Sequence, residues 1–374
     1  MRSAADASAP WSDNPSSGRP GGLLAVGLVV VAAALLLGVV WFSAAEGLLA
    51  WDVRFAYLPA AEHILAGDSP YPALNDPILE DQKGYVYPPQ LVVALLPLTI
   101  LPVPITAMLV ALGMLGIVGL TLWVLDVRDV RCYAAAFLWV PTISGVLLGN
   151  LSIPLAFAIA VLWRYRDTLW PIATTLGLAV SAKLLFWPMF VWMLATRRLR
   201  AAGAAFGIGV AVTVSAWAVI GFDGLLEYPD LVRRLSEIQS HRSYSIVGMA
   251  STLGLGEAVG RAVALGLGAA LLAWCVVLAR QGDEERSFTC AIAATLVLSP
   301  IVWLHYLVVL LVPVAIARPR FSLIWLLPVL LWVSPRPGYA DGAQTFAPAL
   351  AAAILLAVVL LRPRPSGAGA EAPA

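Results

Sequence analysis

The chain has 374 residues, of which 61% are hydrophobic and only 12% charged, and its mean hydropathy is +0.88. Soluble domains carry about 25% charged residues, so the composition excludes a soluble globular protein and indicates a polytopic membrane protein. A formal net charge of +1 leaves no basic footprint for nucleic acid.

The chain begins with a polar segment that is followed by a long apolar run. Residues 1–20 are rich in Ala, Pro, Ser and Gly, and we predict a disordered cytoplasmic tail there. The run from Leu23 to Ala45 is too long for the apolar core of a signal peptide and predicts a first spanning helix. Because Lys and Arg are retained on the cytoplasmic side, Arg2 and Arg19 place the N-terminus inside and direct this helix outward.

The next segment, 46–88, carries seven acidic and two basic residues, as expected for an outer loop. Its sequence WDVRFAYLPAAEHILAG spaces aromatic and leucine residues at helical intervals. This pattern predicts an amphipathic helix on the membrane surface with Asp52 at its start. The apolar stretch 91–125 contains Pro97, Pro102 and Pro104 in its first half, which predicts an interfacial helix followed by a second spanning helix.

Two apolar stretches, 168–196 and 287–317, are each flanked by basic residues on both sides. Each must therefore cross the membrane an even number of times, yet neither can hold two helices of about 20 residues. Two short helices that meet at a polar tip satisfy both conditions, since short helices are acceptable beside a water-filled cavity. The predicted tips are Ser181–Lys183 and Ser299–His305.

The fold class is therefore an all-α polytopic membrane protein with about twelve transmembrane helices and both termini inside. One membrane domain covers 21–362, its extracytoplasmic loops are 46–90 and 221–256, and 363–374 form a second disordered cytoplasmic tail. The remaining spanning helices are predicted at 132–148, 151–163, 202–220, 258–280, 321–333 and 345–361.

Three ionisable residues at the outer face are the first candidates for chemistry, because ionisable groups at membrane depth are usually functional. Asp52 is either a solvated helix cap or a general base for a hydroxyl. Lys183 is either a snorkelling interface lysine or a point charge for a lipid-linked phosphate. His305 is either a packing residue or a hydrogen-bond partner of a phosphate or leaving group.

Further candidates surround these three. Arg233, Arg234, His241 and Arg242 follow each other closely in 229–245 and are either solvated or bind anionic groups. Tyr85 and Tyr87 in YVYPP are either aromatic residues of the membrane interface or a sugar-stacking surface.

Other chemistries lack their motifs in this sequence. It has no Walker motif, no GxGxxG after a strand and no HExxH. Three separated histidines and three cysteines give no metal-ligand spacing. No DxD pair occurs, which argues against metal-dependent binding of a nucleotide sugar.

Several stretches, taken in order, resemble glycosyltransferase family 87. They are YLPAAEHILAGDSPY, YVYPP, LLGNLSIPLAFAIAVLWRYRD, GLAVSAKLLFWPMFVWMLATRRLRA and LSPIVWLHYLVVLLVP. The resemblance covers most of 22–320 and departs from the family at Gly149–Asn150, where the family pattern has Gly-Gln.

The resemblance implies a GT-C fold and a polyprenyl-phosphate-mannose-dependent mannosyltransferase that is active on the extracytoplasmic face of the plasma membrane. It implies that Asp52 is the catalytic base and that Lys183 and His305 lie near the donor phosphate, where we also place Arg233 and Arg234. The expected partners are the lipid-linked donor, a lipid-linked or glycan acceptor and membrane lipids. We assign the remaining candidates to substrate binding: Tyr57, Tyr85, Tyr87, Asn150, His241, Arg242 and Trp303.

A metal ion is not expected in this reaction. An inverting displacement needs one base, and cationic side chains can stabilise a phosphate leaving group without a metal. Two other functions remain open: transfer of another polyprenyl-phosphate sugar such as arabinofuranose, and transport of a lipid or glycan. A non-catalytic scaffold is a third reading, which the many polar residues at membrane depth disfavour.

Overall fold

The computed structural model describes residues 20–333 and 345–361, and these residues form helices without a β-strand. The predicted tails, at 1–19 and from 362 onward, lie outside the described residues. The all-helical prediction is thus confirmed for the described part of the chain.

Four described helices are long and apolar enough to cross a membrane. Each of them contains an apolar window of 18 residues with at most two charged residues. A helix needs about 20 apolar residues to cross the hydrocarbon core. The fourth also has Glu257 in its first turn and Arg280 in its last, the arrangement that the helix dipole favours. The four helices are α1 (Pro20–Ala45), α4 (Val103–Val124), α10 (Leu199–Val219) and α13 (Glu257–Arg280).

The helix predicted at 132–148 is broken in the structure. It consists of α5 (Val130–Leu138) and α6 (Val140–Leu148), which are bent by 62° relative to each other. Trp139 is extended at the break, and Pro141 near the start of α6 lacks an amide hydrogen. The Trp332 indole donates to the carbonyl of Leu138 at 2.9 Å, so a backbone acceptor freed by the break keeps a partner.

The two predicted pairs of short helices are present. In the first pair α8 (Leu169–Ala182) ends at Lys183 and α9 (Pro188–Ala195) follows after one 3-10 turn. In the second pair α14 (Glu284–Val297) is followed by a 3-10 segment, Leu304–Leu310, that continues into α15 (Leu311–Ala317).

The described residues contain four helices long and apolar enough to span a membrane, or five with the bent pair, and seven shorter apolar helices. The twelve-span topology therefore remains a prediction. The shorter apolar helices include α7 (Ser152–Arg164) and α16 (Phe346–Leu360). A third consists of α3 (Pro89–Leu95) and the 3-10 turn that continues it, Leu96–Ile100.

The two predicted outer loops pack against each other. The first contains a single turn of π-helix, Val53–Tyr57, that runs into α2 (Leu58–Ala66). The second contains α11 (Tyr228–Gln239) and α12 (Ile246–Thr252). The buried Gln239 side chain donates to the Leu79 carbonyl at 3.0 Å, so α11 is tied to the first loop.

Charged residues link several predicted inner loops. Arg166 bonds Glu284 at 3.3 Å, and Arg198 bonds both Asp167 at 2.8 Å and Glu284. This network joins the end of α7 to the first turns of α10 and α14. The network lies near the N-terminal ends of α8 and α14. The polar tips lie at the C-terminal ends of these two helices.

Helices α8 and α10 are in close backbone contact. A Cβ atom added to Gly177 would lie 2.7 Å from the Ala205 carbonyl oxygen and 3.0 Å from Ile208. Only glycine avoids this overlap, so Gly177 allows the two helices to approach each other closely.

We predict opposite effects for two glycine-to-alanine changes. Gly177→Ala should lower Tm in detergent, because overpacking costs about 1–3 kcal/mol. Gly113→Ala in α4 is the control, because its added Cβ has no neighbour within 4 Å and alanine favours a helix by about 0.5–1 kcal/mol. Equal Tm changes in the two variants would contradict the close packing.

Candidate active site

Asp52 lies where α1 has ended and the π-helical turn begins. Turns of this type are rare and occur frequently at functional sites. The segment is fixed from behind by Gly149, because a Cβ on that residue would lie 2.8 Å from Val53 and 3.2 Å from Ala50. The carboxylate itself lies in the wall of a large cavity.

Two side chains hold the carboxylate of Asp52, and both bond to Oδ2. Asn150 donates from Nδ2 at 2.5 Å, and the Tyr57 hydroxyl donates at 3.3 Å. Asn150 is 2% exposed and Tyr57 is 2% exposed, so these bonds are formed away from bulk water. Oδ1 has no such bond within the part of the chain that the structure describes.

The sequence YVYPPQ contributes another part of the cavity wall. Tyr87 lines the cavity, and its hydroxyl accepts from Asn150 at 3.2 Å. Gln90, which the sequence analysis did not single out, donates to the carbonyl of Ser181 at the end of α8. This bond fixes the helix end that carries Lys183.

Lys183 follows α8 in an extended conformation, and its amino group lies inside the protein. Nζ is 3.3 Å from the centre of the Tyr306 ring and 5.5 Å from the centre of the Tyr87 ring. It is buried and makes no hydrogen bond to the residues that the structure describes. Aromatic faces attract a cation, but they do not replace the hydrogen bonds that a buried ammonium loses. An anion in the cavity would supply them.

His305 is the last residue of the second predicted polar tip and lies on the 3-10 segment Leu304–Leu310. It is 5% exposed, and its Nε2 is buried without a hydrogen-bond partner among the described residues. Its ring is 5.0 Å from that of Tyr306. Tyr306 thus lies beside both Lys183 and His305. Tyr306 was not predicted from the sequence, since an aromatic residue in an apolar run is usually a packing residue.

The cavity has a volume of about 1180 Å³ and is lined by polar and apolar side chains. Helix α10 contributes Phe206, Val210 and Val214, which are 66%, 47% and 52% exposed. One wall is therefore apolar and continues onto the outer surface of the helix. Seven predicted site residues line the cavity: Asp52, Tyr57, Tyr87, Asn150, Lys183, Trp303 and His305.

Five predicted site residues lie elsewhere. Arg233 forms an ion pair with Asp230 at 2.8 Å, and Arg234 forms one with Glu237 at 3.6 Å. Both pairs lie on the exposed face of α11, and the opposite face of this helix lines the cavity. His241 and Arg242 are exposed beyond the end of this helix. Tyr85 is 2% exposed, donates to the Pro88 carbonyl at 2.6 Å and accepts from the Val92 amide. The structure does not bring these five to the cavity, and Tyr85 instead stabilises the turn before α3.

A sequence model of glycosyltransferase family 87 matches residues 85–300. The chain belongs to glycosyltransferase family 87. The matched region includes Tyr87, Asn150 and Lys183, whereas Asp52 and His305 lie outside it. No curated protein and no solved structure matches the chain. The family makes this protein a membrane glycosyltransferase, which uses a sugar donor and an acceptor.

The surroundings of Asp52 change its acidity. Burial raises the pKa of its carboxyl from 3.8 to about 6, although the hydrogen bonds from Asn150 and Tyr57 and the charge of Lys183 oppose this change. A pKa near the operating pH suits a general base, because the carboxylate is ionised and still accepts a proton readily.

The rate of glycosyl transfer should therefore depend on pH. We predict that kcat/KM falls about tenfold per pH unit below pH 6, because protonated Asp52 cannot act as a base. Initial rates between pH 4.5 and 8.5 with purified enzyme test this. An acid limb centred near the ordinary pKa of an aspartic acid, about 3.9, would contradict it.

Proposed function

We propose that the protein is an inverting glycosyltransferase that moves a mannosyl residue from a polyprenyl-phosphate donor to a lipid-linked or glycan acceptor. The observation that carries the proposal is an Asp52 carboxylate oxygen and the Lys183 amino group beside one cavity, neither of which has a hydrogen-bond partner among the described residues. The carboxylate oxygen can accept the proton of a hydroxyl nucleophile, and the lysine side chain can stabilise an anionic leaving group.

We assign binding of the donor's phosphate group to Lys183. Its buried Nζ has no hydrogen-bond partner among the described residues, and a phosphate provides both the opposite charge and the acceptor oxygens. His305 Nε2 offers a second polar contact beside it. The exposed apolar wall of α10 suits the hydrocarbon chain of a lipid-linked donor.

The reaction then balances without a second carboxylic acid. The acceptor hydroxyl oxygen attacks C1 of the sugar, and its proton passes to Oδ1 of Asp52. The bond between C1 and the phosphate oxygen breaks, and polyprenyl phosphate leaves with the electron pair. Lys183 stabilises the charge that develops on that oxygen. One displacement inverts C1, so an α-mannoside requires a β-linked donor.

The membrane location belongs to the same proposal. With twelve spans and both termini inside, Asp52, Lys183 and His305 lie on the extracytoplasmic face of the plasma membrane. Retention of Lys and Arg on the cytoplasmic side supports this orientation. Mannose is chosen because of the family resemblance, and arabinofuranose is the alternative donor sugar.

We propose further that the reaction needs no metal ion. No three His, Cys, Asp or Glu side chains cluster as metal ligands within residues 20–333 and 345–361. Lys183 would take the role that a metal has at other phosphate leaving groups. Unchanged transfer in excess chelator is the expected result, and restoration of a lost activity by Mg²⁺ or Mn²⁺ would contradict it.

The role of Asp52 is tested with Asp52→Asn, for which the control is Asp68→Asn in the same outer loop, where Asp68 is exposed. We expect Asp52→Asn to lower kcat about 10²–10⁴-fold, the usual contribution of a general base. The measurement is sugar transfer by purified enzyme from synthetic polyprenyl-phosphate mannose, with the arabinofuranose donor in parallel. Retained transfer by Asp52→Asn would overturn the proposal, and translocation without a glycosylated product would favour a transporter.

The role of Lys183 is tested against the only other lysine of the chain, Lys83. Lys183→Gln should reduce kcat/KM for the donor about 100-fold, since it removes a charge-assisted bond from a buried phosphate site. Lys83→Gln should lower kcat/KM far less, because Lys83 is half-exposed and already pairs with Asp81 at 3.5 Å. Equal losses in both variants would contradict the donor site.

A further inference from the structure

The four hydrogen-bonding positions of the Asn150 side chain are all occupied. Its Oδ1 accepts from the backbone amide of Ser152 at 3.0 Å and from the Ser152 hydroxyl at 2.8 Å. Its Nδ2 donates to Asp52 at 2.5 Å and to the Tyr87 hydroxyl at 3.2 Å. A side-chain amide has two donor hydrogens and two acceptor lone pairs. Nothing is left for a substrate.

The orientation of this amide is fixed by Ser152. If the amide were turned over, its NH₂ group would face the Ser152 backbone N–H and its oxygen would face the Asp52 carboxylate. Both contacts would be repulsive, and both groups would lose their bonds in a buried site. Because Asn150 and Ser152 are 2% and 6% exposed, water does not compensate such a loss. The side chain therefore always presents donors to Asp52.

We propose that Asn150, with its amide orientation set by Ser152, is a positioning residue that directs Oδ1 of Asp52 toward the acceptor hydroxyl. The inference rests on the proposed function of Asp52 and replaces the substrate-binding role predicted for Asn150. By holding Oδ2, the amide restricts rotation of the carboxylate. It also favours the ionised form, because a hydrogen bond to a carboxylate stabilises its charge.

Other groups near Asp52 contribute less directly to its orientation. Tyr57 donates to the same oxygen across a longer distance, 3.3 Å. Tyr87, Tyr306 and Lys183 interact with the carboxylate electrostatically. All variants of Asn150 retain Lys183. A shift of the pH profile in a variant that lacks the amide is therefore due to the lost hydrogen bond to Asp52.

The test compares pH profiles of glycosyl transfer for Asn150→Ala, Asn150→Asp, Asn150→Gln and Ser152→Ala. We expect Asn150→Ala to lower kcat about 100-fold, as loss of orientation in an active site does, with little change in KM for either substrate. Its acid limb should move upward by about one pH unit, since a bond to the charged form is lost.

The other variants separate charge from orientation. Asn150→Asp should move the acid limb further, because a second carboxylate opposes ionisation of Asp52. Asn150→Gln keeps the amide and should retain more activity than Asn150→Ala. Ser152→Ala should give a smaller change in the same direction, because the backbone amide of residue 152 still bonds to Asn150. Asn75→Ala and Asn75→Asp, in the exposed part of the outer loop, are the matched controls.

The outcomes separate a failure of the role proposed for Asn150 from a failure of the proposed function on which it rests. If Asn150→Ala raises KM and leaves the acid limb in place, Asn150 binds substrate and the inference is overturned while the proposed function stands. If Asp52→Asn is as active as the wild type, the proposed function itself fails. Thermal unfolding of each variant excludes misfolding, and the acid limb of the residual activity remains measurable in a destabilised variant.

Discussion

The hydrogen bond from Asn150 to Asp52 joins two parts of the protein that are nearly one hundred residues apart in sequence. Asp52 belongs to the segment that follows α1, and Asn150 belongs to the turn between α6 and α7. The turn requires Gly149, whose positive φ of 65° and close contact with Val53 exclude other residues. Through this contact the segment that follows α1 is held against the helices, and the carboxylate is fixed at the cavity wall.

The second constraint is the buried ammonium of Lys183. A charge without a hydrogen-bonding partner destabilises a folded protein, and here the nearest groups are aromatic rings. This cost is offset if a phosphate binds, because the ligand restores the missing interactions once Nζ turns from the Tyr306 ring toward the cavity. Gln90 and Tyr306 hold the end of α8 and the ammonium in place before that happens. In the proposed reaction, Asp52 and Lys183 act on opposite ends of one displacement, at the nucleophile and at the leaving group.

The sequence predicted the helical class and the two short-helix pairs, because charge placement and span length are physical constraints that act along the chain. It also selected seven residues that line the cavity. It did not predict the break at Trp139, although Pro141 is a local signal for it; contacts with Trp325 and Trp332 far along the chain stabilise the broken form. The arginines of α11 were selected for their charge alone, and helical periodicity turns them away from the cavity. Tyr306 and Gln90 were missed since their roles exist only after the chain has folded.

The central claim is that Lys183 binds the donor phosphate in the cavity that Asp52 faces. The most direct test is an experimental structure of the wild-type protein with a non-transferable polyprenyl-phosphate sugar bound. The account predicts a phosphate oxygen about 2.7–2.9 Å from Lys183 Nζ, the lipid chain along α10, and C1 of the sugar between the phosphate and Asp52. A phosphate held by Arg233 and Arg234, with Lys183 still on the ring of Tyr306, would contradict it.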